Sequence, residues 1–263
     1  DSVIFWNFRS ERARQITYAL TQVEFDAFLR KKIPQVHFTC MSVYDRNLDL
    51  PVAFPQKKVK NNLGWIIASN GFRQLRIAES EKYAQVTYFF NSQEENANIR
   101  EDRIMIPSLK VPSYENDPVM KAHEVTETLL QEVQKGLYEF ILVNYANGDL
   151  VGHSANYIAG LRAVETVDLC LGRLLDNALH KDYTVLVTGD HGNIETMLYP
   201  NGEPNPSHGL NPVPFILVSD DPDLKGVQLK SGLGLANVAP TVLDLMGIEK
   251  PREMTAESLI IRA

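Results

Sequence analysis

The chain has 263 residues, of which 44% are hydrophobic, and a formal net charge of −7 at pH 7. This length is enough to bury a large core and to build one large domain or one and a half. The acidic balance, without any basic block, argues against nucleic acid or an acidic membrane as a partner. No apolar run reaches the ~20 residues of a membrane span. Both cysteines lie in apolar surroundings, which indicates free thiols and a cytoplasmic location.

The pattern of residues 1–60 predicts a small α/β unit. Residues 3–8 form an apolar strand pattern, and residues 36–41 form a second one. The intervening helix is predicted from an apolar side made of Ala13, Ile16, Leu20 and Val23. Residues 50–60 combine prolines and polar residues without a clear period, which predicts an interdomain hinge. We therefore expect two domains, 1–55 and 56–263.

The remainder alternates strand and helix patterns. A short helix around residues 63–67 should end at Asn70-Gly71, and a strand should cover 75–78. Later helices are predicted from spaced apolar side chains: Val125, Leu129 and Val133; Ile158, Leu161, Val164, Leu171, Leu174 and Leu175; and Val238, Val242 and Leu245. The order of elements predicts an α/β fold.

Three short polar runs adjoin apolar β-branched segments. Residues 149–153 follow the segment 139–145, residues 189–193 follow 183–188, and residues 207–209 precede 212–218. We interpret the three segments as buried parallel strands. Ligands of open α/β sheets bind outside the carboxyl ends of the strands, so the runs should share one site.

The side chains in these runs indicate a metal centre. They supply two carboxylates and three imidazoles: Asp149, His153, Asp190, His191 and His208. A mixture of oxygen and nitrogen ligands suits Mn²⁺ or Zn²⁺ better than Ca²⁺ or Mg²⁺. Five ligands exceed the needs of one closed tetrahedral site, which predicts two metals and phosphate or hydrolytic chemistry.

Five segments in order along the chain resemble the signature segments of cofactor-independent phosphoglycerate mutases, a family of the alkaline-phosphatase-like metalloenzymes. They are residues 8–14 (FRSERAR), 81–84 (EKYA), 147–153 (NGDLVGH), 189–193 (GDHGN) and 208–215 (HGLNPVPF). The resemblance covers nearly the whole chain but only the C-terminal half of a family member.

The resemblance implies a mostly parallel sheet with helices on both faces, as in alkaline phosphatase, plus the tail of a second α/β domain. Residues 1–55 would be the tail of the transferase domain, and 56–263 the phosphatase-like domain without its N-terminal segment. The implied enzyme is a monomer that interconverts 3-phosphoglycerate and 2-phosphoglycerate through a phosphoserine, with two Mn²⁺ ions; Zn²⁺ or Co²⁺ could replace them.

The resemblance also implies a role for each matching residue. One metal would be held by Asp149, His153 and His208. The second would be held by Asp190 and His191, together with an Asp and the nucleophilic Ser from an upstream segment. Arg9 and Arg12 match the arginines that clamp the substrate, and Lys82 matches the lysine beside the nucleophile. Their chemistry suits these roles, because arginine binds phosphate or carboxylate in a bidentate manner and lysine stabilises a transferring phosphoryl group.

The nucleophile motif of the family is absent from this sequence. Asn91-Ser92 lacks the flanking residues of that motif, and neither Ser92 nor Ser154 is expected to be the nucleophile. Catalysis should therefore need an N-terminal half as partner. Two alternatives remain open: a metal-dependent phosphatase or phosphopentomutase, and a non-catalytic metal-binding fragment that needs a partner chain. The Arg9-x-x-Arg12 and Glu81-Lys82-Tyr83 runs argue against the first.

Overall fold

The computed structural model describes residues 1–10, 12–45, 47–55 and 59–262. The chain divides into two compact units, Asp1–Val59 and Lys60–Ala263. The expected boundary after residue 55 borders residues 56–58, which lie outside the described residues.

The first unit pairs two short parallel strands beside one helix. Strand β1 (Ser2–Phe5) lies in register with β2 (His37–Cys40), and helix α1 covers Ala13–Thr21. The apolar side predicted for this helix is partly wrong, because Ile16 is exposed and Val23 lies beyond the helix end. Thr17 is buried in its place, since its hydroxyl donates to the carbonyl of Ala13, one turn earlier, at 2.9 Å.

The second unit is built on a parallel three-stranded sheet. Its central strand β3 (Gln74–Glu79) lies between β4 (Glu101–Ile106) and β5 (Phe140–Asn144). Every residue of β3 is buried, as expected of a strand covered on both faces. Helix α4 (Ala122–Lys135) packs on this sheet through Val125, Leu129 and Val133, as the sequence predicts.

The short helices of this unit place polar residues at the carboxyl ends of the strands. Helix α2 (Leu63–Ser69) ends at Asn70 and is followed by Gly71, whose φ of +84° suits glycine. Helix α3 (Ser80–Ala84) directly follows β3 and continues into a π-helical turn, Gln85–Phe89. Helix α5 (Asn147–Gly152) follows β5 after two residues.

The long helix α6 (Tyr157–Leu179) has a different buried face from the one predicted. Its buried residues are mostly small: Ala159, Gly160, Ala163, Thr166, Cys170, Leu174 and Ala178. Ile158, Leu161 and Val164 are exposed instead, so half of the predicted apolar stripe is wrong, whereas Leu174 is buried as predicted. The helix packs against α4 and α5, and small residues allow two helices to approach closely.

Strands β6 (Val185–Thr188) and β7 (Phe215–Val218) are antiparallel, so the expectation of parallel strands at both is wrong. Because Thr188 pairs with Phe215, the segment leaving β6 and the segment entering β7 lie at the same end of the pair. Helix α7 (Val238–Leu245) and the antiparallel pair β8 (Gln228–Leu229) and β9 (Ile260–Ile261) complete the described elements. Among the described residues, no helix is long and apolar enough to cross a membrane.

Candidate metal centre

Three segments of the second unit converge at the ends of their strands. Asp149 lies on α5, and His153 caps the end of that helix, where its amide donates to the carbonyl of Asp149 at 3.1 Å. His191 follows β6, and His208 precedes β7. The antiparallel β6–β7 pair therefore brings these two histidines together, although the prediction of their proximity assumed parallel strands.

The carboxylate of Asp149 is the centre of the cluster. Its Oδ1 lies 3.0 Å from His208 Nε2, 3.2 Å from His153 Nε2 and 4.0 Å from His191 Nε2. Its other oxygen, Oδ2, forms an ion pair with the ammonium group of Lys82 on α3. Both side chains of that pair are mostly buried, with 16% and 13% exposed. The two oxygens thus serve different partners, three imidazoles on one side and one lysine on the other.

The three imidazole rings lie against one another. The rings of His191 and His208 stack at 3.8 Å between centroids, and those of His153 and His208 are 4.8 Å apart. His153 Nδ1 lies 2.7 Å from the carbonyl oxygen of Pro206, which only accepts hydrogen bonds. Nδ1 must therefore hold a proton, so in the neutral form of the ring the Nε2 lone pair is directed at the cluster. Such outer hydrogen bonds fix the tautomer of metal-binding histidines.

The protonation states of Asp149 and His208 favour the binding of a metal cation. Burial alone would raise the pKa of Asp149, but the hydrogen bond and charge of Lys82, together with His153 and His208, lower it. Burial lowers the pKa of His208, and His191 acts in the same direction while Asp149 opposes them. A carboxylate that stays ionised and an imidazole that stays neutral are the forms that bind metal.

The donor set fits a divalent transition ion. Asp149, His191 and His208 offer ligand atoms that all lie within 4.8 Å of one another. His153 Nε2 lies 3.1 Å from His208 Nε2, so two imidazole nitrogens face each other beside a carboxylate. One carboxylate and several imidazoles match the ligands of Zn²⁺, Co²⁺ or Mn²⁺. We conclude that the described residues form a candidate site for a divalent metal.

Asp190, the second predicted carboxylate, is less enclosed. Its side chain is 69% exposed, and its Oδ2 lies 3.5 Å from His191 Nε2. The structure therefore brings His191 within reach of both carboxylates. How the five donors divide between two ions stays a prediction.

The predicted substrate arginines lie in the first unit. Arg9 and Arg12 are both exposed there, and Arg12 caps the start of α1. The amide of Arg9 donates to the side chain of Asn7 at 2.9 Å. Glu11, between them, lies outside the described residues.

Two polar residues near the cluster received no role from the sequence. The side-chain amide of Asn193 lies 3.4 Å from Asp149 Oδ1. The carboxylate of Glu195 accepts hydrogen bonds from the backbone amide of Asn193 and from the side-chain amide of Asn211. The available signal was their position, since both follow His191 within four residues.

A family model described as the Metalloenzyme superfamily matches residues 19–250. This range covers most of the chain, so the chain belongs to the Metalloenzyme superfamily. The family agrees with the cluster of metal-binding side chains and with the mixed α/β fold. The alkaline-phosphatase-like fold expected from the resemblance is confirmed.

Curated relatives that match the whole chain are named as phosphoglycerate mutases. The chain is 47% identical over 263 residues to 2,3-bisphosphoglycerate-independent phosphoglycerate mutase 2 of Methanosarcina barkeri, covering 100% of this chain and 49% of that protein. It is 48% identical to the 2,3-bisphosphoglycerate-independent phosphoglycerate mutase of Moorella thermoacetica, with 100% and 50% covered. The chain thus spans about half the length of these relatives.

A crystal structure of Leishmania mexicana phosphoglycerate mutase, described as determined at low cobalt concentration, has the same fold. It superposes with a TM-score of 0.82 at 30% sequence identity, over 99% of this chain and 50% of that one. The resemblance found in the signature segments is therefore confirmed along the chain.

Proposed function

We propose that this chain is the metal-binding C-terminal half of a 2,3-bisphosphoglycerate-independent phosphoglycerate mutase, which interconverts 3-phosphoglycerate and 2-phosphoglycerate through a phosphoserine. The observation that carries this proposal is the Asp149 carboxylate between three imidazoles and the Lys82 ammonium. Relatives of this activity that match the chain from end to end support it.

The proposed cofactor is a pair of Mn²⁺ ions, with Zn²⁺ or Co²⁺ as substitutes. Asp149, His153 and His208 would hold one ion, and Asp190 and His191 would contribute to the second. When bound, a metal pair stabilises charge on the attacking and leaving oxygens of a transferred phosphoryl group. The mixed donor set and the mention of cobalt for the Leishmania enzyme support a transition metal.

The cationic side chains would bind the anionic substrate. Lys82 is held beside Asp149, so its ammonium would neutralise a phosphoryl oxygen brought to the same place. Arg9 and Arg12 would hold the carboxylate or phosphate of the phosphoglycerate with bidentate hydrogen bonds. Residues 1–55 would accordingly belong to a substrate-binding transferase domain, and 56–263 to a phosphatase-like domain.

The remaining partners of the proposed enzyme follow from the same assignment. An N-terminal half of the same protein would supply the nucleophilic serine and the remaining metal ligands. The complete enzyme would act as a monomer in the cytoplasm. The two buried free cysteines, Cys40 and Cys170, support a reducing compartment.

The proposal is tested by following the products formed from 3-phosphoglycerate by the complete protein. We expect 2-phosphoglycerate to form, and Asp149→Asn to slow its formation more than about 100-fold, beyond the usual cost of changing an outer hydrogen-bond partner. Asp168→Asn is a matched control, because Asp168 is exposed on α6.

Three outcomes would contradict the proposed function. Release of inorganic phosphate without 2-phosphoglycerate would indicate a phosphatase of the same superfamily. Conversion of a phosphopentose in place of 3-phosphoglycerate would indicate a phosphopentomutase. Full activity of Asp149→Asn would remove the metal cluster from the reaction.

A further inference from the structure

A hydrogen-bonded chain of three residues connects the segments that hold the histidines. The backbone amide of Asn193 donates to Glu195 Oε2 at 2.8 Å, and Asn211 Nδ2 donates to Glu195 Oε1 at 2.9 Å. Asn193 lies two residues after His191, and Asn211 lies three residues after His208. Glu195 therefore ties the segment that leaves β6 to the segment that enters β7.

The two segments also meet directly beneath this carboxylate. Gly192 and Gly209 form an isolated antiparallel bridge, in which the amide of Gly209 donates to the carbonyl of Gly192 at 2.7 Å. A Cβ atom added at Gly192 would overlap Glu195 Oε1, and one added at Gly209 would lie 3.5 Å from the same atom. The Glu195 carboxylate thus covers the bridge, and at Gly192 it occupies the place that a Cβ atom would take.

The same group of residues reaches the third segment, which carries Asp149 and His153. Asn193 is 4% exposed, and its side-chain amide is directed toward Asp149 Oδ1. Its Oδ1 packs so closely on Gly152 that a Cβ atom there would overlap it. All three ligand-bearing segments are consequently in contact through Asn193 and Glu195.

The short helical turn that carries Glu195 is itself anchored. The 3₁₀ turn Ile194–Thr196 is followed by Met197, which is buried and packs so closely on Gly160 of α6 that a Cβ atom there would overlap its side chain. Asn211 Nδ2 also donates to the hydroxyl of Thr196 at 2.8 Å. Although the residue itself is exposed, Glu195 is held to the long helix by its neighbours.

We propose that Glu195 is a positioning residue of the metal centre, which sets the separation of His191 and His208 by joining Asn193 to Asn211. This inference depends on the proposed metal site. It adds that the ligands are held in place by an outer carboxylate, not by strand pairing alone. Outer partners of metal ligands are typically worth 10- to 100-fold in metal affinity.

The test measures Co²⁺ binding to the complete protein, by calorimetry and by the visible absorption of the bound ion. We expect Glu195→Ala to weaken Co²⁺ binding at this centre about tenfold or more and to alter its visible spectrum. Glu203→Ala is the matched control, because Glu203 is an exposed glutamate of the same loop whose carboxylate bonds Asn201. It should leave both readouts unchanged.

A rescue variant separates positioning from general stability. Asn211→Asp alone places one carboxylate against that of Glu195, and an ionised carboxylate has no hydrogen to donate, so Co²⁺ binding should weaken. The double variant Glu195→Gln with Asn211→Asp reverses donor and acceptor across the same contact, and the Thr196 hydroxyl can donate instead of accept. This double variant should recover most of the lost Co²⁺ affinity and the wild-type spectrum.

The outcomes distinguish this inference from the proposed function. If the wild-type protein binds no Co²⁺ at this centre, the proposed metal site fails, and the inference fails with it. If wild type binds but Glu195→Ala binds equally well with the same spectrum, only the role of Glu195 is refuted. Weaker binding in Glu195→Ala without recovery in the double variant would also refute it. Should Glu195→Ala fail to fold, the single variant Asn211→Asp and the double variant decide.

Discussion

Glu101 on β4 is a buried carboxylate that the fold keeps ionised. It accepts hydrogen bonds from Asn91 at 2.8 and 3.1 Å, from Asn98 at 2.6 Å and from Arg103 at 2.6 Å. Burial alone would raise the pKa of Glu101, but these hydrogen bonds and the nearby charge of Arg76 lower it. Arg76 is fully buried against the rings of Phe90 and Phe140, and burial lowers its pKa to about 10. It therefore keeps its charge at neutral pH.

The variant Glu101→Gln should lower the free energy of unfolding by about 3 kcal/mol at pH 7, because it leaves buried cations without their counter-ion. The folded pKa of Glu101 is below its ordinary value, so the carboxylate stabilises the fold fully above the unfolded pKa near ~4.3. That contribution is lost as the pH falls through the folded pKa. Urea unfolding of both proteins between pH 7 and pH 3 measures the difference.

Glu95→Gln serves as control, because Glu95 is exposed six residues earlier. It should change stability little at any pH. A stability gap for Glu101→Gln that stays constant down to pH 3 would contradict this explanation.

Arg9 offers a residue-scale test of the substrate assignment, in the complete protein. Arg9→Lys keeps the charge but removes the bidentate geometry. We therefore expect kcat/KM for 3-phosphoglycerate to fall, by an amount that corresponds to a loss of about 1.5–3 kcal/mol of transition-state stabilisation. Metal content should not change. Arg162→Lys, on an exposed position of α6, is the matched control. Wild-type kcat/KM in Arg9→Lys would show that Arg9 is only a solvated side chain.

The five side chains predicted to be metal ligands could be singled out from the sequence because each lies near a strand pattern, which is local information. The contacts that these side chains make could not be predicted. Lys82 and Asp149 are 67 residues apart, and their ion pair depends on the order of strands in the sheet. Asn193 and Glu195 have polar side chains that are common on surfaces, so composition alone gives them no role.

Among the elements, the β6–β7 pair shows what apolar runs leave undetermined. A short β-branched run predicts a buried strand, but it carries no information about the direction of its neighbour. His191 and His208 lie together as predicted, but for a different reason from the one expected. Thr188 pairs with Phe215 in an antiparallel arrangement, which brings the two segments to the same end of the pair. The carboxyl end of one strand then adjoins the amino end of the next.

Helix α6 shows a second limit of prediction from sequence, because its most hydrophobic residues are not its most buried ones. Its spacing predicted a helix correctly, but the largest apolar residues were assigned to the buried face. Close approach to α4 and α5 selects small residues such as Ala163 and Gly160 for the contact. Size at the helix contact therefore matters more than hydrophobicity.

Two glycines of α6 provide a matched pair for this explanation. Gly160→Ala should lower the free energy of unfolding by about 1–3 kcal/mol, because the new Cβ overlaps the Met197 side chain. Gly172→Ala meets no atom within 4 Å and should raise stability by up to about 1 kcal/mol through helix propensity. Thermal or urea unfolding of both variants measures the contrast. Equal effects would show that Met197 moves aside without cost.

For the whole molecule, the 263-residue chain on its own should bind metal but not isomerise its substrate. Asp149, His153 and His208 all come from this chain, so titration with Mn²⁺ should show one tight equivalent. The second site should be weak, since only Asp190 and His191 are supplied here. Histidine ligands must be neutral to bind, and burial lowers the pKa of His208, so affinity should persist to below the ordinary imidazole range near ~6.5 and fall as the pH drops further.

Conversion of 3-phosphoglycerate by this chain alone should be undetectable, with at most slow hydrolysis of small phosphate esters. Two equally tight equivalents of Mn²⁺, or loss of binding only in a His191→Ala variant, would overturn the proposed pairing of ligands. Robust mutase turnover by a preparation of verified mass would show that the nucleophile lies within these residues. His180→Ala, on an exposed histidine at the end of α6, is the control.

The α/β class and the family could be predicted for the whole chain, because signature segments and strand–helix alternation extend along nearly all of it. The internal arrangement of the sheets could not, since it depends on pairings between distant residues. The order β4-β3-β5, for example, places the middle strand before both of its neighbours in the chain.

The bridge between Gly192 and Gly209 holds the two ends of the intervening segment together, so residues 193–208 form a loop with a fixed base. The tip of that loop is a tight turn at Asn201-Gly202, and a second bridge joins Leu198 to Pro204. Both tip residues are exposed. Because lengthening an already closed loop costs little entropy, a peptide tag inserted between Asn201 and Gly202 should leave metal affinity unchanged. The turn is thus a position for attaching a fluorescent reporter at the tip of the loop whose base adjoins His191 and His208.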